Sequence, residues 1–321
     1  MFTEGSNMRN LPKIALGAWS WGKGTAGGDQ VFGNHLEEKD LQPIFEAAMS
    51  KGLNLWDTAT VYGMGASEDI LGSFVRGVKR EDVVISTKFT PQIAGMYEDS
   101  MEKMADASRK RLGIDVIDIY WIHNPADVER WTPQLAPLIK SGKIKSVGVS
   151  NHNLAEIKRA NEILQAFGCR VEAVQNHFSL LNRSSEKSGI LNYCKENDIT
   201  FFAYMVLEQG ALSGKYDTAH PFPAGSDRAR SYNPILPQLE ELTAAMQEVG
   251  QAHGLSVAQV GTAWAIAKGT LPIIGVTKVR HVEDAAQAAG AVLTAEEIER
   301  LETLADKANV STIREWEKKM E

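Results

Sequence analysis

Short apolar runs alternate with helix-periodic segments along almost the whole chain, and no other feature constrains its fold as tightly. The runs are Ile14–Trp19, Leu53–Asp57, Val83–Lys88, Ile117–His123, Ser146–Ser150, Val174–Asn176, Thr200–Tyr204 and Leu271–Gly275. Alternation of this kind marks βα units around a parallel sheet. Eight such units joined by right-handed connections close into an α/β barrel of the (β/α)8 (TIM) type. The competing arrangement is a doubly wound sheet, for which Gly22-x-Gly24-x-x-Gly27 offers a dinucleotide-type glycine match after the first run. That match needs a helix to open directly behind it. The following Gly28–Gly33 stretch carries two more glycines and no apolar period, so the glycines are expected to form an ordinary flexible loop.

The segments between the runs have a helical period. Leu41, Ile44, Phe45 and Ala48 recur on one face, as do Ile157, Ala160 and Leu164, with Gly168 placed to stop that helix. Leu239, Leu242, Met246 and Val249 form another stripe. Near the carboxyl end Thr294-x-x-Glu297 is a capping box ahead of Ile298, Leu301 and Leu304. No Pro/Gly/Ser linker separates two halves, so residues 1–321 are expected to form one barrel domain with a tail from about residue 308. Gly22–Gly33 and Asp217–Pro237 are expected to be long surface loops, which in compact domains are often functional.

Charge then narrows the partners. The chain has 321 residues, with 34 Lys+Arg against 41 Asp+Glu, giving a net charge of −7. No basic face is available to neutralise a phosphate backbone, so a nucleic-acid partner is not expected. With 43% hydrophobic residues the chain can bury a large core. Cys169 and Cys194 lie far apart with no Cys-x-x-Cys, which predicts free thiols and no zinc ribbon. Met1–Lys13 is polar, and no run reaches the ~18 apolar residues of a membrane span. A cytoplasmic protein without a metal or a membrane partner is expected. The oligomeric state is left open.

Barrels of this type carry their chemistry at the carboxyl ends of the strands. The polar residues there are Asp57, Lys88, His123, Ser150, Asn151, Gln175 and Tyr204, and Tyr62 follows Asp57 within the same loop. Asp57, Lys88 and His123 end consecutive strands and so converge on one mouth. A phenol is a weak acid with a pKa near ~10. An adjacent ammonium is expected to lower it, and a carboxylate to keep that ammonium charged and in place. This makes Tyr62 a proton donor to a carbonyl oxygen, Lys88 its tuner, Asp57 the anchor and His123 an orienting group. Taken singly, each also suits a structural role; their joint occurrence favours chemistry. Gly148-Val149-Ser150-Asn151 lacks the second glycine of a hydrolase elbow, so a hydride from a bound cofactor is the expected nucleophile. Trp19 and Trp121 fall within strands, whereas Trp21 and Trp131 fall in loops and are expected to line the substrate pocket.

These residues sit in motifs that resemble the aldo-keto reductase family from about residue 11 to 290. The motifs are Leu16-Gly17-Ala18-Trp19-Ser20-Trp21-Gly22, Asp57-Thr58-Ala59-Thr60-Val61-Tyr62-Gly63 with Ser67-Glu68 and Leu71-Gly72, and Ser86-Thr87-Lys88. They continue with Arg111-Leu112-Gly113, Asp118-Ile119-Tyr120, His123-Asn124-Pro125, Gly142-Lys143-Ile144 and Gly148-Val149-Ser150-Asn151. The resemblance implies a catalytic tetrad of Asp57, Tyr62, Lys88 and His123. It further implies that Ser150, Asn151 and Gln175 hold a nicotinamide carboxamide, that Tyr204 stacks on the ring, and that Leu207 and Gln209, in Leu207–Leu212, lie at the pyrophosphate. Glu208 departs from the small residue usual there. Gly275, Thr277, Lys278 and Arg280 fall where the family binds the adenosine 2′-phosphate; the two cations imply NADPH, with NADH the alternative. An arginine common at the Thr277 position is missing, His281 stands where Gln or Arg is frequent, and Ala285 replaces a usual Asn. The implied activity is interconversion of an aldehyde, ketone or sugar-type carbonyl and its alcohol. The rival expectation is a cofactor-binding regulatory subunit with little turnover. Trp316 is placed either over the pocket or on the barrel wall.

Overall fold

The computed structural model describes Met8, Asn10 and residues 11–320. Eight parallel strands close into a barrel: β1 (Ala15–Gly17), β2 (Leu55–Asp57), β3 (Val84–Phe89), β4 (Ile117–Ile122), β5 (Ile144–Ser150), β6 (Ala173–His177), β7 (Thr200–Tyr204) and β8 (Leu271–Gly275). Each pairs with its neighbours in sequence order, and β8 returns to β1. The eight expected strands all form, and the doubly wound alternative is excluded by closure.

The helices between strands are fixed by the stripes and caps the sequence carries. Helix Glu38–Ser50 buries Leu41, Ile44, Phe45 and Ala48, and Leu154–Gln165 buries Ile157, Ala160 and Leu164 behind an Asn153/Glu156 capping box. Leu236–His253 and Ala295–Ala308 follow in the same way, the latter with the Thr294/Glu297 box. None of the described helices is long and apolar enough to cross a membrane. Cys169 and Cys194 are free thiols.

Inside the barrel, side chains alternate between core and helix layer with the period of two that a strand imposes. Trp121 fills the interior and meets Phe202 edge-on at 5.1 Å. Gly148 on β5 makes room for it, since a Cβ there would stand 2.1 Å from the Trp121 ring. Trp121 Nε1 donates to Ser86 Oγ at 2.6 Å. This layer is the floor beneath the mouth.

Three local expectations are corrected. β1 is shorter than its apolar run and stops at Gly17, which leaves Trp19 in the loop beyond it. The glycine loop is not open chain: it contains a five-residue helix, Gly28–Phe32, and packs so closely that a Cβ on Gly27 would lie 2.9 Å from Gly63 Cα. Gly24 and Gly27 serve close backbone approach to Gly63, the residue after Tyr62, a packing demand that periodicity cannot reveal. Asp217–Pro237 likewise is no simple surface loop. Its Phe222, Ala229 and Tyr232 join Ala211, Leu236 and Leu239 in a separate apolar cluster, and residues 227–232 are helical.

Candidate active site

The strand register decides which side chains meet. Asp57 on β2 is the partner of Ser86 on β3, and Lys88, two residues further on, lies on the same face as Ser86. Lys88 Nζ therefore reaches Asp57 Oδ2 at 2.5 Å, the Thr58 carbonyl at 2.8 Å and the Tyr62 hydroxyl at 3.4 Å. The ammonium is fully buried, and Asp57 is 3% exposed. Asp57 Oδ1 accepts from Ser86 Oγ at 2.8 Å and from Gln175 Nε2 at 3.2 Å. His123, one residue past β4, meets the Tyr62 ring edge-on at 5.9 Å, and its Nδ1 lies 2.9 Å from Thr90 Oγ1. The four residues expected to converge do so.

Electrostatics refine their states. Burial pushes the His123 imidazole down to about 3, and the Lys88 charge adds to this, so the ring is neutral at ordinary pH. Burial opposes the charge on Lys88, but Asp57 and Tyr62 hold its pKa above the ordinary value. For Tyr62 the expectation is corrected. Desolvation raises the phenol pKa more than Lys88 lowers it, so the net shift is upward. A hydroxyl that keeps its proton, next to a neutral imidazole and a fixed cation, can donate that proton to an oxygen anion.

Around this group the structure places the other sequence candidates along one side of the mouth. Ser150 is buried, and Asn151, at φ +60°, donates to the His123 carbonyl at 3.0 Å. Gln175 turns inward onto Asp57. Tyr204 donates to Asn151 Oδ1 at 2.5 Å. The loop after β7 is unusual, with positive φ at Met205, Glu208 and Gln209. Leu207 is half-buried, and the Gln209 side chain accepts from Arg314 at 2.8 Å. Beyond β8, Gly275 is exposed with open space beside it, and the Thr277 amide donates to His281 Nδ1 at 3.2 Å. Lys278 and Arg280 are exposed at the start of helix Val279–Ala289, and neither forms an ion pair within 4 Å among the described residues. Together they depress the neighbouring His281, on which burial is the larger effect.

Two expectations fail. Trp21 is fully buried, donates to the Val276 carbonyl at 2.7 Å and packs on Trp56 and Phe74, so it belongs to the core. Trp131 is 4% exposed, pressed between Phe89 and Arg130. The indole at the mouth is Trp19, which stacks on Tyr62 at 5.9 Å and meets Trp316 edge-on at 6.1 Å. Of the two placements expected for Trp316, the structure brings it to the mouth, against Trp19.

Sequence reasoning missed His177 and Glu317. β6 runs one residue past the expected end, and His177, two residues after Gln175, takes the same inward face. Its ring stacks on Tyr204, Nε2 lies 2.8 Å from Glu208 and Nδ1 2.9 Å from Glu317. Burial opposes its charge, but Glu208 first and Glu317 with it push the imidazole up to about 10. Glu208 is itself fully buried, bonded to His177, Ser179, Tyr232 and Thr312. Its departure from a small residue therefore serves an internal network. Among the described residues no cluster of His, Cys, Asp or Glu has the makings of a metal site.

Comparison with known proteins gives the family and the fold. Residues 13–306 match the family model described as the aldo/keto reductase family. A chloroplastic pyridoxal reductase of Arabidopsis thaliana is 33% identical, over 95% of this chain and 86% of its own. An aldo-keto reductase of Schizosaccharomyces pombe whose name specifies NADP(+) is 30% identical, over 82% of this chain and 81% of its own. The structure of an aldo-keto reductase from Klebsiella pneumoniae in complex with NADPH superposes with a TM-score of 0.71 at 25% identity, covering 92% of this chain and 91% of that one.

Proposed function

Because the chain belongs to the aldo/keto reductase family, we propose that it is an NADP(H)-dependent oxidoreductase that reduces a small carbonyl compound to its alcohol, with Tyr62 as the proton donor. The observation that carries this reading is the buried Lys88 ammonium, held by Asp57 at 2.5 Å and reaching the Tyr62 hydroxyl at 3.4 Å beside a neutral His123. The chemistry of the surrounding residues suits a dinucleotide. Asn151 and Gln175 carry amides, the loop at Leu207 and Gln209 turns through left-handed conformations, Gly275 has open space beside it with Thr277 two residues on, and Lys278 and Arg280 are cations at a helix start with no ion pair among the described residues. When bound, the nicotinamide supplies the hydride. The chain supplies the rest: Tyr62 gives its proton to the carbonyl oxygen, His123 orients that oxygen through its neutral ring, and Lys88 offsets the negative charge that forms. Cys169 and Cys194, both free, suit a reducing compartment such as the cytosol.

A panel of aldehydes and ketones, followed by the loss of NADPH absorbance, tests the activity. Steady oxidation of the cofactor is expected. Tight cofactor retention with no turnover on any carbonyl would instead indicate a regulatory role. The pyridoxal reductase relative makes pyridoxal a first member of that panel.

The charge states set a pH profile. His123 titrates near 3 and Tyr62 above its ordinary 10, so both hold the states needed for reduction across the interval between. The expected kcat profile for reduction is flat through 6.5 and up to the tyrosine range. A break at 6.5 would show that His123 titrates as an ordinary imidazole.

Cofactor choice rests on Lys278 and Arg280. Charge-assisted bonds to a 2′-phosphate contribute about 1.5–3 kcal/mol each. Replacing both by Ala should weaken NADPH roughly 100-fold or more and leave NADH binding within about twofold, read by fluorescence titration. Equal affinity of the parent protein for both cofactors would remove these residues from the phosphate site.

A further inference from the structure

The described chain does not end on the barrel wall. After helix Ala295–Ala308, residues 309–320 form neither helix nor strand and cross the mouth, so their position depends on side chains. Thr312 donates to Glu208 at 3.0 Å, and Arg314 lies on Gln209, Ser231 and the Tyr232 ring. Glu317 is held by three groups. One carboxylate oxygen lies 2.9 Å from His177 Nδ1 and accepts from the Arg314 amide at 3.0 Å, and the other lies 2.8 Å from the Tyr204 hydroxyl oxygen. His177 is thus clasped between Glu317 on the segment and Glu208 on the barrel. Next to Glu317, Trp316 is 56% exposed and makes a right-angled corner with Trp19, which itself lies over Tyr62.

We propose that Glu317 is the latch of a C-terminal strap, a positioning residue that fixes Trp316 against Trp19 as the outer wall of the substrate space above Tyr62. This rests on the carbonyl-reductase reading of the same site. Two indoles set at right angles beside Tyr62 give a planar substrate aromatic surface to pack on, which favours aromatic over small aliphatic carbonyl compounds. Lys318 on Glu156 and the buried Met320 tie down the chain beyond Trp316, and Glu317 is the tie next to the indole itself. Removing the latch releases the wall while Tyr62, Lys88 and Asp57 stay in place, because none of their contacts involves the strap.

The test compares the parent protein with Trp316→Ala, Glu317→Ala and Glu317→Gln. Steady-state reduction of benzaldehyde and of propanal is measured with NADPH, together with hydrogen exchange of the 310–320 amides in the protein without cofactor. Trp316→Ala and Glu317→Ala are each expected to lower the ratio of kcat/KM for benzaldehyde over propanal about tenfold, an aromatic contact's worth, chiefly through KM. Glu317→Ala should also speed amide exchange across the strap at least tenfold. Glu317→Gln keeps one acceptor oxygen in place of two and loses the charge opposite His177, and should fall between. An unchanged ratio in Glu317→Ala, equal losses on both aldehydes through kcat, or unchanged strap exchange would each overturn the latch. If the parent reduces neither aldehyde nor any other carbonyl, the reductase reading fails, while the exchange comparison still decides whether Glu317 holds the strap.

Discussion

Tyr62→Phe is expected to lower kcat for carbonyl reduction by about 100- to 10,000-fold while leaving the NADPH dissociation constant within about twofold, the range that a positioned general acid supplies. On the barrier this is about 3–5 kcal/mol. The substitution removes one oxygen and keeps the ring, so the stack on Trp19 and the edge contact with His123 persist. The fold loses little, because among the described residues the hydroxyl has one polar contact, a long one at 3.4 Å from Lys88 Nζ. With burial holding the phenol above its ordinary pKa, its resting state is the protonated one, and reduction needs that proton at once. Single-turnover measurement with NADPH in excess separates chemistry from product release. Turnover within about tenfold of the parent would mean that water or His123 delivers the proton. The reverse reaction should respond differently to pH. Alcohol oxidation needs the phenolate, so its rate should climb with pH where reduction is flat.

What the sequence made legible, and what it hid, follows from the range of the interactions concerned. Strands and helices announce themselves through periods of two and of 3.6 residues, which are local, and the barrel follows from their number and order. The convergence of Asp57, Lys88 and His123 was readable for the same reason: they sit at or just past strand ends, and register carries them to one mouth. Trp19 and Trp21 show where such reading stops. They are two residues apart, yet one covers Tyr62 and the other is core, because β1 ends at Gly17 and the chain turns between them. The direction of the Tyr62 shift was equally hidden, since pattern reveals the neighbouring ammonium but not the depth of burial that outweighs it. His177, Glu208 and Glu317 are separated by 31 residues in one step and over a hundred in the next. Only closure of the barrel and return of the tail bring them together. The one local sign was Glu208 itself, a carboxylate out of place in its motif.

Lys88 carries the second large effect, and it separates structure from chemistry. Lys88→Met should destabilise the fold by about 3–5 kcal/mol, because it leaves the Asp57 carboxylate buried without its cation. Ser86 and Gln175 still donate to Asp57 Oδ1, which places the cost toward the lower end. A shift of the urea midpoint at constant slope would read it. Adding Asp57→Asn removes the orphaned charge. The double variant should therefore recover most of the lost stability, with a coupling of about 1–3 kcal/mol between the two positions. Activity should not return with it. No cation then faces the Tyr62 hydroxyl or the oxygen that gains charge, and the loss in kcat should remain at least about 100-fold. If the lysine were only the partner of a buried carboxylate, restoring stability would restore turnover. A folded, cofactor-binding and inactive double variant is the result that assigns the ammonium to the reaction, and recovery of turnover alongside stability would return it to the scaffold.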